Sequence, residues 1–174
     1  VALRFIYSDL AWNEAEDITP GSAFAADIAF YYNNYILLGQ RECMIGLGAN
    51  ISNIGSKISY DEGNTSEFVP TNFRIGASLL IPIDEYNTIS FSADANKLLV
   101  PTRPMQAEDE SDQDYQDRLQ KDYYDLSPIT GIFKSFNNAP DGFSEELKEI
   151  QWSVGAEYMY NNQFAVRAGY HHED

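Results

Sequence analysis

The sequence predicts an all-β protein, an antiparallel transmembrane β-barrel whose long extracellular loops contain short helices. Three observations lead to this prediction. Apolar and polar residues alternate through seven separate segments, which is the period of a strand with one apolar face. Short turns and long polar loops connect these segments at opposite ends, as they do in outer-membrane barrels. Aromatic side chains gather at both ends of the segments, where the interfaces of a bilayer select them.

The seven predicted strands all place one set of alternating residues on an apolar face. In the first, Leu3 and Phe5 alternate with Arg4, and in the fourth, Phe73 alternates with Arg74. Most of the segments are close to the roughly nine to eleven residues that a tilted strand needs to cross a bilayer. They are residues 1–8, 24–32, 43–52, 73–83, 89–96, 150–160 and 164–171.

The opposite face of these strands is rich in Gly, Ala and Ser and carries isolated charges of both signs. A soluble β-sandwich also alternates, but its solvent-exposed face more often carries Lys, Glu and Thr. Opposite charges inside a barrel can pair across a crowded lumen. We therefore predict that six charged side chains face the lumen: Arg4, Asp27, Arg74, Asp94, Glu157 and Arg167.

The connections between the strands are of two kinds. Residues 84–87 and the pair Asn161-Asn162 are predicted tight turns, and Asn residues suit the positive φ of the second. Residues 33–41 are predicted to form a modest link. Residues 9–23, 53–70 and 99–149 are the long loops. Seven strands cannot close a bacterial single-chain barrel, which uses an even number. We therefore expect residues 1–174 to be one barrel domain that is incomplete.

The longest loop, residues 99–149, is predicted to have helical structure of its own. It contains twelve acidic and five basic residues, a net charge of −7. Ser111, followed three residues later by Asp114, fits the start of a helix. Ser127 followed by Pro128 fits the start of a second one.

The second helix carries an apolar stripe at helical spacing, for which two interpretations are open. The stripe could fold back and plug the mouth of the barrel, or its aromatic side chains could insert into a partner protein as anchors. We take four residues of this stripe as candidates for a partner contact: Ile129, Ile132, Phe133 and Phe136.

The composition excludes several classes of function. The net charge of −16 argues against a nucleic-acid partner, because repulsion replaces the gain from counterion release. It also argues against docking on an anionic membrane surface through a basic patch. With 44% hydrophobic residues, the chain is not an acidic disordered segment. Its single cysteine excludes an internal disulfide.

The sequence contains no pattern that requires a cofactor or a metal. It has no phosphate-binding loop and no nucleophile elbow. The acidic run from Glu108 to Asp117 lacks the glycine turn and the terminal glutamate of an EF-hand loop, so a solvated acidic loop is the favoured interpretation. His171 and His172 beside Glu173 could act with a serine in a lipid deacylase, but no motif places that serine. We predict no catalytic residues and no cofactor.

Several runs of the sequence resemble hallmark stretches of the PorV family. They are residues 45–58 (IGLGANISNIGSKI), 68–76 (FVPTNFRIG), 142–149 (GFSEELKE) and 155–170 (GAEYMYNNQFAVRAGY). Members of this family are outer-membrane barrels of the type IX secretion system and are related in fold to the FadL fatty-acid transporters. The resemblance implies a FadL-like barrel of fourteen strands, of which this chain would be a middle portion.

The resemblance also implies a carrier role without catalysis, in the bacterial outer membrane, with the long loops outside the cell. The implied partners are the translocon barrel, the C-terminal signal domains of secreted cargo, the surface sortase or attachment complex, and outer-membrane lipid. A FadL-like transporter of hydrophobic small molecules is the alternative. The inner-face charges speak against that alternative, because desolvating them beside an apolar ligand is costly.

Overall fold

The computed structural model describes residues 1–10, 19–61, 65–135 and 149–173. All seven predicted strands are present, and they form one antiparallel sheet in the order β1-β2-β3-β4-β5-β6-β7. The sheet is not closed within the described residues, so the barrel stays a prediction. The strands are β1 (Ala2–Ser8), β2 (Gly21–Leu38), β3 (Arg41–Gly55), β4 (Asn72–Pro82), β5 (Asn87–Leu98), β6 (Gln151–Tyr160) and β7 (Phe164–His172).

The chain divides into two compact units, and both contain parts of the sheet. The first unit comprises Val1–Ile28, Ser52–Asn72 and Leu98–Glu146. The second comprises Ala29–Ile51, Phe73–Lys97 and Leu147–Asp174.

In the first unit, β1 and the start of β2 expose large apolar side chains, and the start of β2 buries small ones. Phe5 lies opposite Phe24, with ring centroids 5.1 Å apart, and both rings are more than half exposed. On the other face of β2, Ala23 and Ala25 are 1% and 5% exposed. A strand of a water-soluble sheet normally shows the reverse, because burial of apolar surface drives its folding.

In the second unit, the register of β5, β6 and β7 separates two kinds of side chain. One row across the three strands consists of Ser92, Gly155 and Gly169, and another of Ser90, Glu157 and Arg167. The opposite face carries the row Ala93, Val154 and Tyr170. Val154 and Tyr170 are exposed. The predicted alternation is therefore confirmed in β5, β6 and β7.

The predicted link over residues 33–41 is wrong. Strand β2 continues to Leu38 and β3 begins at Arg41, so only two residues form the turn. Gly39 supplies the positive φ of 68° that the tight connection requires. The run from Tyr35 to Leu38 favours a strand, and this preference overrides the turn signal of the two preceding asparagines.

The tight turn predicted at Asn161-Asn162 is confirmed. Asn161 and Asn162 have φ values of 49° and 52°, and the Gln163 N–H donates to the Tyr160 carbonyl at 3.0 Å. Two successive residues with positive φ define the hairpin turn whose twist matches the flanking strands.

Both predicted helix starts in the long loop are also confirmed. Helix α1 (Asp112–Leu119) begins after Ser111, whose hydroxyl accepts a bond from the Asp114 N–H at 3.2 Å. A π-helical turn, Gln120–Tyr124, continues α1. Helix α2 (Pro128–Lys134) begins after Ser127, whose hydroxyl accepts a bond from the Thr130 N–H at 3.2 Å.

We expect Asn162→Val to lower the free energy of unfolding by about 1–2 kcal/mol, because a β-branched residue is penalised in the left-handed conformation. The matched variant Asn162→Gly should leave it unchanged or raise it. Urea unfolding in detergent, followed by the heat-dependent gel mobility of the folded protein, measures both. Equal losses in the two variants would show that the positive φ is not the cause.

Candidate functional site

The apolar stripe of α2 has an exposed side and a buried side. Ile129 and Phe133 lie one helical turn apart and are 63% and 72% exposed. Ile132 is half-buried, and Phe136 lies outside the described residues. We call the pair Ile129 and Phe133 the α2 surface.

Helix α2 packs on the rest of the first unit through its smallest residues. A Cβ atom at Gly131 would lie 2.6 Å from Cε1 of Phe68 and 3.1 Å from Cγ of Pro101, so the backbone of α2 packs directly on these two rings. Ser135 is 1% exposed, and its hydroxyl donates to the Ile132 carbonyl at 2.7 Å. Because Gly131 and Ser135 occupy the docked side, the larger Ile129 and Phe133 project away from it.

Helix α1 and the π-helical turn that continues it are called the α1 segment, and a cationic side chain from the β3–β4 connection supports its end. Lys57 Nζ donates to the carbonyls of Tyr123 and Tyr124, each at 2.8 Å. Carbonyls at a helical C-terminus lack partners within the helix and carry partial negative charge, so a cation suits this position. Burial lowers the pKa of Lys57, and the nearby Glu67 and Asp125 oppose that shift.

The same cluster buries an aromatic hydroxyl group. The Tyr123 hydroxyl donates to Glu67 Oε2 at 2.9 Å, and burial together with this bond raises the pKa of Tyr123. The sequence reasoning missed Lys57, Glu67 and Phe68. One signal was present, because Lys57 is the only basic residue between Asn53 and Pro70.

A left-handed residue at the end of β3 connects four parts of the first unit. Asn53 has φ 58°, and its N–H donates to Asp27 Oδ1 at 2.8 Å. Its side chain donates to the Pro70 carbonyl at 3.0 Å and accepts from Arg4 at 3.2 Å. The Thr71 hydroxyl donates to the Asn53 carbonyl at 2.8 Å. Asn53 therefore fixes the start of the β3–β4 connection against β1 and β2.

The six charged residues predicted to face the lumen form three ion pairs. Arg4 Nη2 lies 2.5 Å from Asp27 Oδ2 in the first unit. In the second unit, Arg74 Nε lies 3.8 Å from Asp94 Oδ1, and Arg167 contacts Glu157. Each pair lies on the polar face of its strands, so the charges are neutralised locally. Their direction toward a lumen stays a prediction.

The histidines near the end of the chain lie in a cross-strand arrangement. His171 is paired with Ser153 in the register, and His171 Nδ1 lies 3.0 Å from Ser153 Oγ. The distance from His171 Nε2 to Glu173 Oε2 is 3.8 Å, which is longer than a hydrogen bond. His172 points to the opposite face, where its ring lies 5.4 Å from that of Trp152. The distance between His171 and Glu173 is too long for the hydrogen bond by which an acid orients a catalytic histidine, and this disfavours the deacylase hypothesis.

The described residues contain no group of three or more His, Cys, Asp or Glu side chains able to hold a metal ion. In the same part of the chain, no helix is both long enough and apolar enough to cross a membrane.

We expect Glu157→Arg to destabilise the second unit, because it places two arginines opposite each other on neighbouring strands. The double variant Glu157→Arg with Arg167→Glu should recover most of the loss, with a coupling of roughly 0.2–1 kcal/mol. A double-mutant cycle by denaturant unfolding measures it. Additive effects of the two substitutions would contradict the pairing.

Comparison with known proteins places the chain in a family. The family model for the type IX secretion system protein PorV matches residues 1–105, which include β1 to β5. No curated protein matches the chain. The matched region includes Asn53, Lys57 and Phe68, together with the pairs Arg4–Asp27 and Arg74–Asp94. Because the match covers more than half of the sequence, the chain belongs to the PorV family of type IX secretion system proteins.

Proposed function

We propose that this protein is a non-catalytic carrier in the outer membrane that binds secreted cargo by its C-terminal signal domain. It receives the cargo at the translocon barrel and passes it to the surface attachment complex. The α2 surface is the contact with the translocon barrel, and Phe136, which lies outside the described residues, is a further candidate from the sequence. The observation on which this rests most directly is the exposure of Ile129 and Phe133 on a helix whose other side is docked.

The exposed apolar face of the strands supports a membrane location. Leu3 is 85% exposed, and Phe24 and Val166 are each more than half exposed. Apolar side chains exposed in this regular alternation suit contact with lipid, as on the outer wall of a β-barrel. In this proposal, further strands close the barrel, lipid covers the apolar face, and residues 99–149 form an extracellular loop.

The geometry of α2 supports a protein contact rather than a plug made by the loop itself. Large apolar side chains that project from a docked helix resemble the anchors of protein interfaces, which fill pockets in a partner. In the first unit, the side of α2 that faces Phe68 and Pro101 is the small-residue side. The anchor interpretation of the stripe therefore fits Ile129 and Phe133 better than Ile132.

A FadL-like transporter of hydrophobic small molecules is the alternative function. It requires a continuous apolar path along the polar face of the strands. The three ion pairs on that face disfavour such a path, because an apolar ligand beside them would remove water from charged groups.

We expect Ile129→Ser with Phe133→Ser to reduce co-purification of the translocon barrel from native membranes by about tenfold or more, as loss of a central apolar anchor does at protein interfaces. Adding Phe136→Ser should reduce it further. The control is Met105→Ser, because Met105 is 84% exposed elsewhere in the same loop. Quantitative immunoblotting of the captured translocon measures the effect, and heat-dependent gel mobility confirms that each variant is folded.

Unchanged capture in the double variant would remove the anchor claim. Equal losses in the control and the double variant would show that the effect is not specific to the α2 surface. Recovery of the protein from native membranes without any secretion component would favour the transporter alternative.

A further inference from the structure

One aromatic ring contacts both helical parts of the long loop. Phe68 lies edge-to-face against Tyr123 at the end of the α1 segment, with ring centroids 5.3 Å apart. The other contact is with α2, since a Cβ at Gly131 would meet the Phe68 ring at 2.6 Å. The residue before it, Glu67, pairs with Ile58 by two backbone hydrogen bonds of 2.8 and 2.9 Å. Phe68 therefore directly follows a short β-bridge within the β3–β4 connection.

The ammonium group of Lys57 holds this ring and the end of the α1 segment together. Its Nζ lies 4.1 Å from the centroid of Phe68 and donates to two carbonyls at the end of the π-helical turn. A cation over a ring face is attracted by the ring's negative quadrupole, and partial desolvation strengthens that attraction. The group thus joins the β3–β4 connection to the helical segment by two hydrogen bonds, and it contacts Phe68 within the connection itself.

Helix α1 also has polar contacts with its own neighbours along the chain, and Leu119 at its end is buried. Arg118 pairs with Glu110 at 2.6 Å and donates to the Met105 carbonyl at 3.0 Å. The Tyr115 hydroxyl donates to the Pro104 carbonyl at 3.2 Å. These contacts make residues 104–119 a locally stabilised body. Lys57, Glu67 and Phe68 of the β3–β4 connection contact the π-helical turn that follows this body, at Tyr123 and Tyr124.

Glu67 also connects the β3–β4 connection to the π-helical turn and to Arg103. It accepts the Tyr123 hydroxyl at 2.9 Å and lies 3.8 Å from Arg103 Nη1. Arg103 in turn donates to the Tyr124 hydroxyl at 2.9 Å. The hydrogen bonds of Glu67 and Arg103 and the ring of Phe68 therefore lie in one cluster, which contacts both the α1 segment and α2.

We propose that Lys57 and Phe68 form a latch that makes α1, the π-helical turn and α2 a single arm, so that a protein which displaces α2 also releases α1. When α2 moves away, Phe68 loses the backbone of Gly131 that packs on its ring. The ring then supports Lys57 and Tyr123 less firmly, and the acidic α1 segment opens as a unit. The identity of the binding protein rests on the proposed function, but the latch itself does not.

Hydrogen–deuterium exchange of the full protein in detergent tests the latch. Lys57→Met should raise exchange of the amides between Asp112 and Asp125 by about tenfold or more, because two carbonyls lose a charged donor. Lys121→Met is the matched control, since Lys121 is an exposed lysine in the same segment. The control should leave that exchange unchanged, and neither variant should change exchange in β6 and β7.

A second variant tests the coupling from the α2 side. Gly131→Val places side-chain atoms where the Phe68 ring lies, so it should raise exchange in α1 as well as in α2. Increased exchange in α2 alone would overturn the coupling, and unchanged exchange in Lys57→Met would overturn the latch. If these results hold while the translocon is not captured through the α2 surface, the latch stands and the proposed function fails.

Discussion

The pairing of antiparallel strands is the constraint on which the other features depend. Because side chains alternate between two faces, a fixed register collects rings on one face and small or charged residues on the other. The row of Ser90, Glu157 and Arg167 shows the consequence, since a charge on one strand meets its opposite on the next. The same register leaves large apolar side chains exposed on the other face, an arrangement that suits lipid rather than water.

The loops depend on this sheet through a few polar anchors. Asn53 uses a left-handed backbone to direct its N–H at Asp27, which also pairs with Arg4. The chain that leaves Asn53 then carries Lys57 to the helical C-terminus. A charge pair on the strands and a helical arm in the loop are thus linked through one short connection. This continuity gives the sheet a structural role in positioning the end of the π-helical turn.

Much of the fold could be predicted from the sequence because its determinants are local. The seven strands follow from a period of two, and the helix starts follow from Ser111 and Ser127. The contacts of Lys57 could not be predicted, since 66 residues separate it from Tyr123 and no local pattern reports such a distance. The side of α2 that packs on the first unit could not be predicted either. It is the side of Gly131, whose lack of a side chain allows the close contact, whereas the apolar stripe indicated Ile129, Ile132 and Phe133.

Site-specific photo-crosslinking in native membranes tests the central claim most directly, namely that the α2 surface contacts the translocon barrel. A photoreactive phenylalanine derivative replaces Phe133, and parallel variants carry it at the half-buried Ile132 and at Met105. We expect a translocon adduct from position 133 that is far stronger than those from the two control positions. Equal adducts at positions 133 and 105, or an adduct from position 132 alone, would contradict it.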